Sequence, residues 1–346
     1  MRRLILILIL TLMIVQPVFA ADYTAPAAPN SAQKYMPPET ESFGDGLWYV
    51  IKSAISNLQP GVAEAAQTCL CVIGTTMLLS LVRTFTGISK RIVTIVSALS
   101  MGILLFRSSD SLVRLGAETV DQMSNYGKLL IPTLTAATAA NGAPATSAAL
   151  YTGTVIFSSV LTTVIAKLVV PLIYIFMALG IADSASGEKT FQTLKDFVKW
   201  LSTWIIKTVL YIFTGYMSIT GVISGSVDSA AIKATKLTIS GAVPVVGKII
   251  SDASETILLS AGILKNSAGV YGAIALVAIC IGPFLRIGIH YLLLKFTTAV
   301  CGVFGDPVSN GLLKNMTTSM GLIMAMTGTV CLLLLISIVC FLRSMA

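Results

Sequence analysis

Charge is scarce in this chain of 346 residues: only 11% are Asp, Glu, Lys or Arg, where soluble domains carry about a quarter. There is a single histidine, His290, and no Cys-x-x-Cys pair among the six cysteines. A zinc centre needs several Cys or His at ligand spacing, and covalent or acid–base catalysis needs a nucleophile with its base or paired carboxylates. Neither pattern is present, so no enzyme activity, metal or cofactor is expected. No Asp or Glu sits centrally in an apolar run, Glu64 and Asp183 lying at ends. Carriers driven by protons or sodium need such a carboxylate, which disfavours that class. Basic runs are missing too. The net charge of +8 is spread over loops, with Arg2 and Arg3 supplying two of it, and nucleic acid is not an expected partner.

What the chain has in excess is apolar surface: 55% hydrophobic residues and a mean hydropathy of +0.88, the composition of an integral membrane protein. Cys69, Cys71, Cys280, Cys301, Cys331 and Cys340 all lie within or beside apolar stretches, where a thiol behaves as a small hydrophobe. Residues 1–20 read as a signal peptide: Arg2 and Arg3, an apolar run from Leu4 to Val15, then Val18, Phe19 and Ala20 in a small-x-Ala pattern, an uncleaved anchor being the alternative. Residues 21–46, with Pro26, Pro29, Pro37 and Pro38 among small polar residues, read as a disordered leader. An amphipathic helix is expected over 47–60, with Leu47, Ile51, Ala54, Ile55 and Leu58 on one face, Trp48 and Tyr49 at a headgroup boundary, and Pro60-Gly61 as its end.

The polytopic domain is read as 62–346, with apolar runs at 62–82, 92–106, 148–182, 198–222, 268–305 and 317–342. Lys90, Arg91 and Arg107 bracket the short second run as snorkelling anchors. The runs holding Pro171 and Pro283 are each longer than one crossing, either one broken helix or a hairpin. The fold class is therefore all-α, a polytopic membrane protein of six to eight transmembrane helices, some broken by proline, with extracytoplasmic amphipathic helices. Export of the N-terminus puts Arg83, Lys90, Arg91, Lys189, Lys195 and Lys199 inside and the polar segments 108–147 and 226–258 outside.

GAVPVVGKI, residues 241–249, superficially suggests a phosphate-binding loop. Five residues rather than four separate Gly241 from Gly247, Ile249 stands where a hydroxyl is needed, and Pro244 removes a backbone donor. The stretch reads instead as the start of a two-faced helix, with Val246, Ile249, Ile250, Ala253 and Ile257 on one side and Lys248, Asp252 and Glu255 on the other, a candidate partner-contact surface.

Pro132 and Pro171 are 39 residues apart, as are Pro244 and Pro283, which suggests an internal repeat of 114–222 and 226–342. Proline-interrupted spans at matching positions are pointers to a pore or binding site. Pro132, Pro171, Pro244 and Pro283 are thus candidate hinges. Lys167, Lys207, His290 and Lys295 join them as candidate pore residues; Arg286, one helical turn from His290, is a further charge inside an apolar run, which snorkelling can explain. Structural roles compete, since lysines can snorkel or bond carbonyls freed by Pro171 and Pro283.

Residues 225–274 carry an ordered set of features: Ser226-Val227-Asp228, a Lys-rich approach, Pro244-Val245-Val246-Gly247, Ser251-Asp252-Ala253 and Leu264-Lys265-Asn266. In this order they resemble the stage III sporulation protein AE family of spore-forming Firmicutes, and the resemblance extends over most of the chain. It implies a non-enzymatic polytopic subunit of the sporulation channel, or secretion-like complex, between mother cell and forespore. The mother-cell membrane surrounding the forespore is then its location. Its implied partners are a secretion-type ATPase and ring-forming proteins, besides membrane lipid, and association with further copies of itself is left open. The alternative reading is a stand-alone permease for small anions. The leader is shorter than in many family members.

Overall fold

Among the described residues, the helix with the most apolar membrane-length stretch is the one the others surround. A computed structural model describes residues 25–38, 42–85, 89–140, 144–186, 191–219, 267–303 and 307–344. In chain order these form α1 (Asn30–Gln33), α2 (Phe43–Ser56), α3 (Gln59–Phe85), α4 (Lys90–Ala140), α5 (Pro144–Val164), a π-helical turn (Ile165–Val169), α6 (Val170–Ser186), α7 (Gln192–Ile219), α8 (Ser267–Val303) and α9 (Pro307–Ser344). No strand occurs among the described residues. α9 is apolar on every side, and over its most apolar stretch 94% of residues are buried. A helix of that kind belongs at the centre of a bundle.

α4 runs parallel to α9 in a fixed register: Ser109 meets Met316, Gly116 meets Ile323 and Gly127 meets Leu334, always 207 positions apart. Between membrane helices the attraction is mainly van der Waals packing, so close approach matters and small residues permit it. A Cβ on Gly116 would stand 2.5 Å from Ile323 Cγ2, and one on Gly127 would stand 2.9 Å from Leu334 Cδ2. α8 runs antiparallel to α9, with Gly269 against Leu342 and Gly328 facing Phe284. α6 also runs antiparallel to it, placing Gly180 on Asn315 and Ser184 on Gly311. α7 returns along α5, where the Tyr216 hydroxyl donates to the Ala149 carbonyl at 3.0 Å.

Among the described residues, five stretches are long and apolar enough to cross a membrane: Gln59–Val82, Arg91–Ala140, Pro144–Ser186, Ala268–Val303 and Val308–Ser344. α7, the expected span 198–222, has the length but is less apolar, carrying Lys195, Asp196, Lys199 and Lys207. The two long proline-containing runs are continuous helices rather than hairpins. In the first, the π turn closes an i to i−5 bond from Val170 N–H to the Ile165 carbonyl just before Pro171, whose ring would otherwise clash with the preceding turn.

Residues 108–140 correct the expectation of a separate external segment, because they continue α4 to a total of 51 residues. At about 1.5 Å per residue such a helix is roughly 76 Å long, more than twice the hydrocarbon thickness of about 30 Å. Its outward face changes at Arg107. Before it Ile92, Ile95, Val96, Leu99, Ile103 and Leu104 are exposed; from it onward the exposed residues are mainly polar, Arg107, Ser111, Arg114, Glu118, Asp121, Gln122, Asn125 and Lys128, with Leu129 also exposed. Leu112, Val113, Val120, Met123 and Leu130 stay buried on the inner face. Composition averages the two faces, which is why the segment looks too polar to be part of the bundle.

The leader is also corrected over residues 25–38, where Ala28, Ala32 and Tyr35 are buried against the bundle. The segment has no core of its own and borrows one. α2 begins at Phe43, four residues earlier than expected, because Ser42 caps it by accepting from Asp45 N–H at 3.2 Å. Its buried face is Phe43, Gly46, Val50 and Ala54, leaving Ile55 exposed. Pro60 falls in the first turn of α3 instead of ending α2, since a missing N–H costs nothing there.

Candidate functional site: a polar cavity beside Pro283

Within α8, Pro283 has no N–H to give, so the carbonyl of Ile279 lacks its i+4 donor. Inside a membrane such a carbonyl requires a neighbouring group or water. Here the helices part around a cavity of about 430 Å3. Ile279, Gly282, Pro283 and Arg286 of α8 line it with Glu64 of α3, Glu118 and Gln122 of α4, Asn57 after α2, and Asn30, Lys34 and Tyr35 of the leader.

The leader forms one wall. Tyr35 is buried over Gly282, where a Cβ would stand 2.7 Å from its hydroxyl, so glycine makes this contact. The Lys34 ammonium lies 4.7 Å above the Tyr35 ring. Ser31 donates to Gln122 Oε1 at 2.8 Å, Tyr126 donates to the Pro26 carbonyl at 3.2 Å, and Ser53 donates to the Lys34 carbonyl at 3.2 Å. Residues 26–35 are thereby tied to α2 and α4, and the N–H of Ala28 reaches the Tyr271 hydroxyl of α8 at 3.4 Å.

One turn beyond Pro283, Arg286 Nη2 donates to Glu64 Oε2, the two side chains being 42% and 44% exposed. The Nε of Arg286 is buried with no partner. His290, one turn further and 2% exposed, has Nδ1 3.0 Å from the Arg286 carbonyl. A carbonyl only accepts, so Nδ1 carries the proton, and Nε2 is buried without a partner. Glu64 also borders a second cavity of about 510 Å3 between α3 and α4, with Gln67, Thr68, Arg107, Ser108 and Ser111. The two cavities make a polar track that begins at the proline break and ends where the outer face of α4 turns apolar. It offers groups of both signs and can hold water or charged groups within the bundle.

Of the residues singled out from sequence, Pro283 lines the first cavity and His290 lies two turns below it on the same helix. Pro132 is exposed on α4, Pro171 is exposed after the π turn, and Lys167 is exposed within that turn. Lys207 is half-buried on α7, while Lys295 is exposed with its ammonium 5.7 Å from the Tyr291 ring. None of these five lines either cavity. Pro244, Lys248, Asp252 and Glu255 lie outside the described residues, and with them the pairing of Pro244 with Pro283 and the two-faced helix. Sequence reasoning missed Glu64, Glu118, Lys34 and Tyr35. A signal existed for Arg286, a charge inside an apolar run one turn from a proline. It also missed Asp110, which accepts from the Tyr174 hydroxyl at 2.6 Å and from Arg114 Nε at 3.0 Å, tying α4 to α6.

Long apolar helices around a buried apolar axis define a multi-pass helical membrane protein. The family model of stage III sporulation protein AE matches residues 41–344. The chain belongs to that family and has a role in sporulation. It is similar to stage III sporulation protein AE of Bacillus subtilis (strain 168), with 25% identity over 210 residues, 60% of this chain and 51% of that protein. The match thus spans about half the length of that relative. No solved structure matches.

Proposed function

We propose that the protein is a non-enzymatic membrane subunit of a channel, or secretion-like, complex joining mother cell and forespore. It sits in the mother-cell membrane that surrounds the forespore. Family membership over 41–344 supports the sporulation setting. The observation that carries the subunit reading is the half of α4 beyond Arg107. There Arg114, Asp121, Asn125 and Lys128 face outward beside the cavity-lining Ser111, Glu118 and Gln122. A polar face of that length offers a contact surface for a ring-forming or ATPase partner. α9 fills the axis of the bundle, so passage through the membrane would follow the polar track or a seam between copies.

The test is affinity purification of the tagged protein from sporulating cells in mild detergent. Ring and ATPase subunits are expected to copurify, and Arg114→Glu with Asp121→Lys is expected to release them while the protein still reaches the membrane. A protein that purifies alone, while those subunits assemble without it, would contradict the reading. The alternative of an anion permease is less well supported, because Glu64 and Glu118 stand in the cavity beside its cations.

A further inference from the structure

The charge in the cavity beside Pro283 is balanced, with Lys34 and Arg286 against Glu64 and Glu118. Arg286 and Glu64 satisfy each other through Nη2. What remains is of two kinds. On the donor side are the Lys34 ammonium and the half-exposed Arg286 guanidinium. On the acceptor side are the Glu118 carboxylate and the Ile279 carbonyl that Pro283 leaves without its helical donor.

These groups come from the leader, α8 and α4, so the balance is a property of the assembled wall and of no single element. A lone anion would meet the donors but leave the acceptors unmet and add a like charge beside Glu118. A lone cation would do the converse. Donors and acceptors that line one cavity are met together by a ligand that carries both charges. The volume of about 430 Å3 falls within the range of small-molecule pockets, about 300–1,000 Å3. Asn30, Asn57 and Gln122 add amides that can meet further polar atoms.

We infer that this cavity binds a small zwitterion, its anionic group on Lys34 and the half-exposed Arg286 guanidinium and its ammonium on Glu118 and the Ile279 carbonyl. The inference does not depend on the conduit reading, since it concerns occupancy of a site and not passage. The same chemistry occurs in free amino acids and in the phosphoethanolamine headgroup of a lipid, and the test separates them.

The full chain, reconstituted in nanodiscs of phosphatidylglycerol, is titrated calorimetrically with L-glutamine and with glycerophosphoethanolamine. Two analogues with a single charge serve as controls: glutaramate, which lacks the ammonium, and 4-aminobutanamide, which lacks the carboxylate. At least one zwitterion is expected to bind, with both analogues tenfold or more weaker than glutamine if glutamine is the ligand. Preference for glycerophosphoethanolamine assigns a lipid headgroup, and preference for glutamine assigns a free solute. Lys34→Gln and Glu118→Gln, both at exposed positions that carry no helix packing, are each expected to weaken binding fivefold or more. The inference is overturned by equal affinity for a single-charge analogue, by unchanged binding in both variants, or by no binding of either zwitterion to protein that retains its melting transition.

Discussion

Arg286 of α8 donates to the Glu64 carboxylate of α3, joining two helices 222 residues apart in sequence one turn from the proline that opens the cavity. Both side chains are half-exposed, so the pair is worth little as a weld, about 0.2–1 kcal/mol for exposed pairs. A thermal-unfolding cycle of Glu64→Gln, Arg286→Gln and the double variant should give a coupling in that range. A coupling of several kcal/mol would mean that the pair is dry, and the cavity with it.

Tyr35 over Gly282 makes the leader a removable wall. Gly282→Leu should push residues 25–38 outward, and trypsin should then cut at Lys34 at least tenfold faster than in the parent. Tyr35→Ala should expose the same site without touching α8. Unchanged protection in both would place the leader's anchorage elsewhere.

The register of α4 on α9 depends on glycine. With 2.5 Å available between a Cβ at residue 116 and Ile323 Cγ2, Gly116→Val overpacks the seam and should cost about 1–3 kcal/mol in thermal stability. Ile323→Ala should recover part of that loss in the double variant, whereas the same change alone should destabilise.

At the opposite end of the bundle from the C-terminus of α9, Lys195 donates to Asp183 at 2.5 Å with side chains only 10% and 15% exposed. Lys195 Nζ also lies 3.5 Å from Asn315 Oδ1, so the pair joins α6, α7 and α9. Removing one partner strands a buried charge, and Lys195→Met should cost about 3–5 kcal/mol. The double variant Lys195→Met with Asp183→Leu should be markedly more stable than the single one when followed by thermal unfolding.

The spans holding Pro171 and Pro283 are legible in sequence because each is predominantly apolar despite Lys167, Arg286, His290 and Lys295, and length then implies a crossing. The polar half of α4 is not, since its buried leucines and valines are outnumbered by an outer face that only the packing on α9 segregates. The leader is invisible for a related reason: it orders against residues far along the chain, among them Gln122, Tyr126, Tyr271 and Gly282. For the cavity, the proline break and Arg286 can be read locally. Its acidic side cannot, because Glu64 and Glu118 reach it from two other helices and neither carries a motif.

α4 has an apolar outer face before Arg107 and a mainly polar one beyond it, the polar half flanking the cavity beside Pro283. In a cysteine-free background, Leu99→Cys and Gln122→Cys are treated with a charged maleimide in unsealed membranes. Rapid labelling is expected at 122 and none at 99, with labelling at 122 rising further in Tyr35→Ala. Labelling at 99 with protection at 122, in protein that has kept its melting transition, would contradict this division of α4.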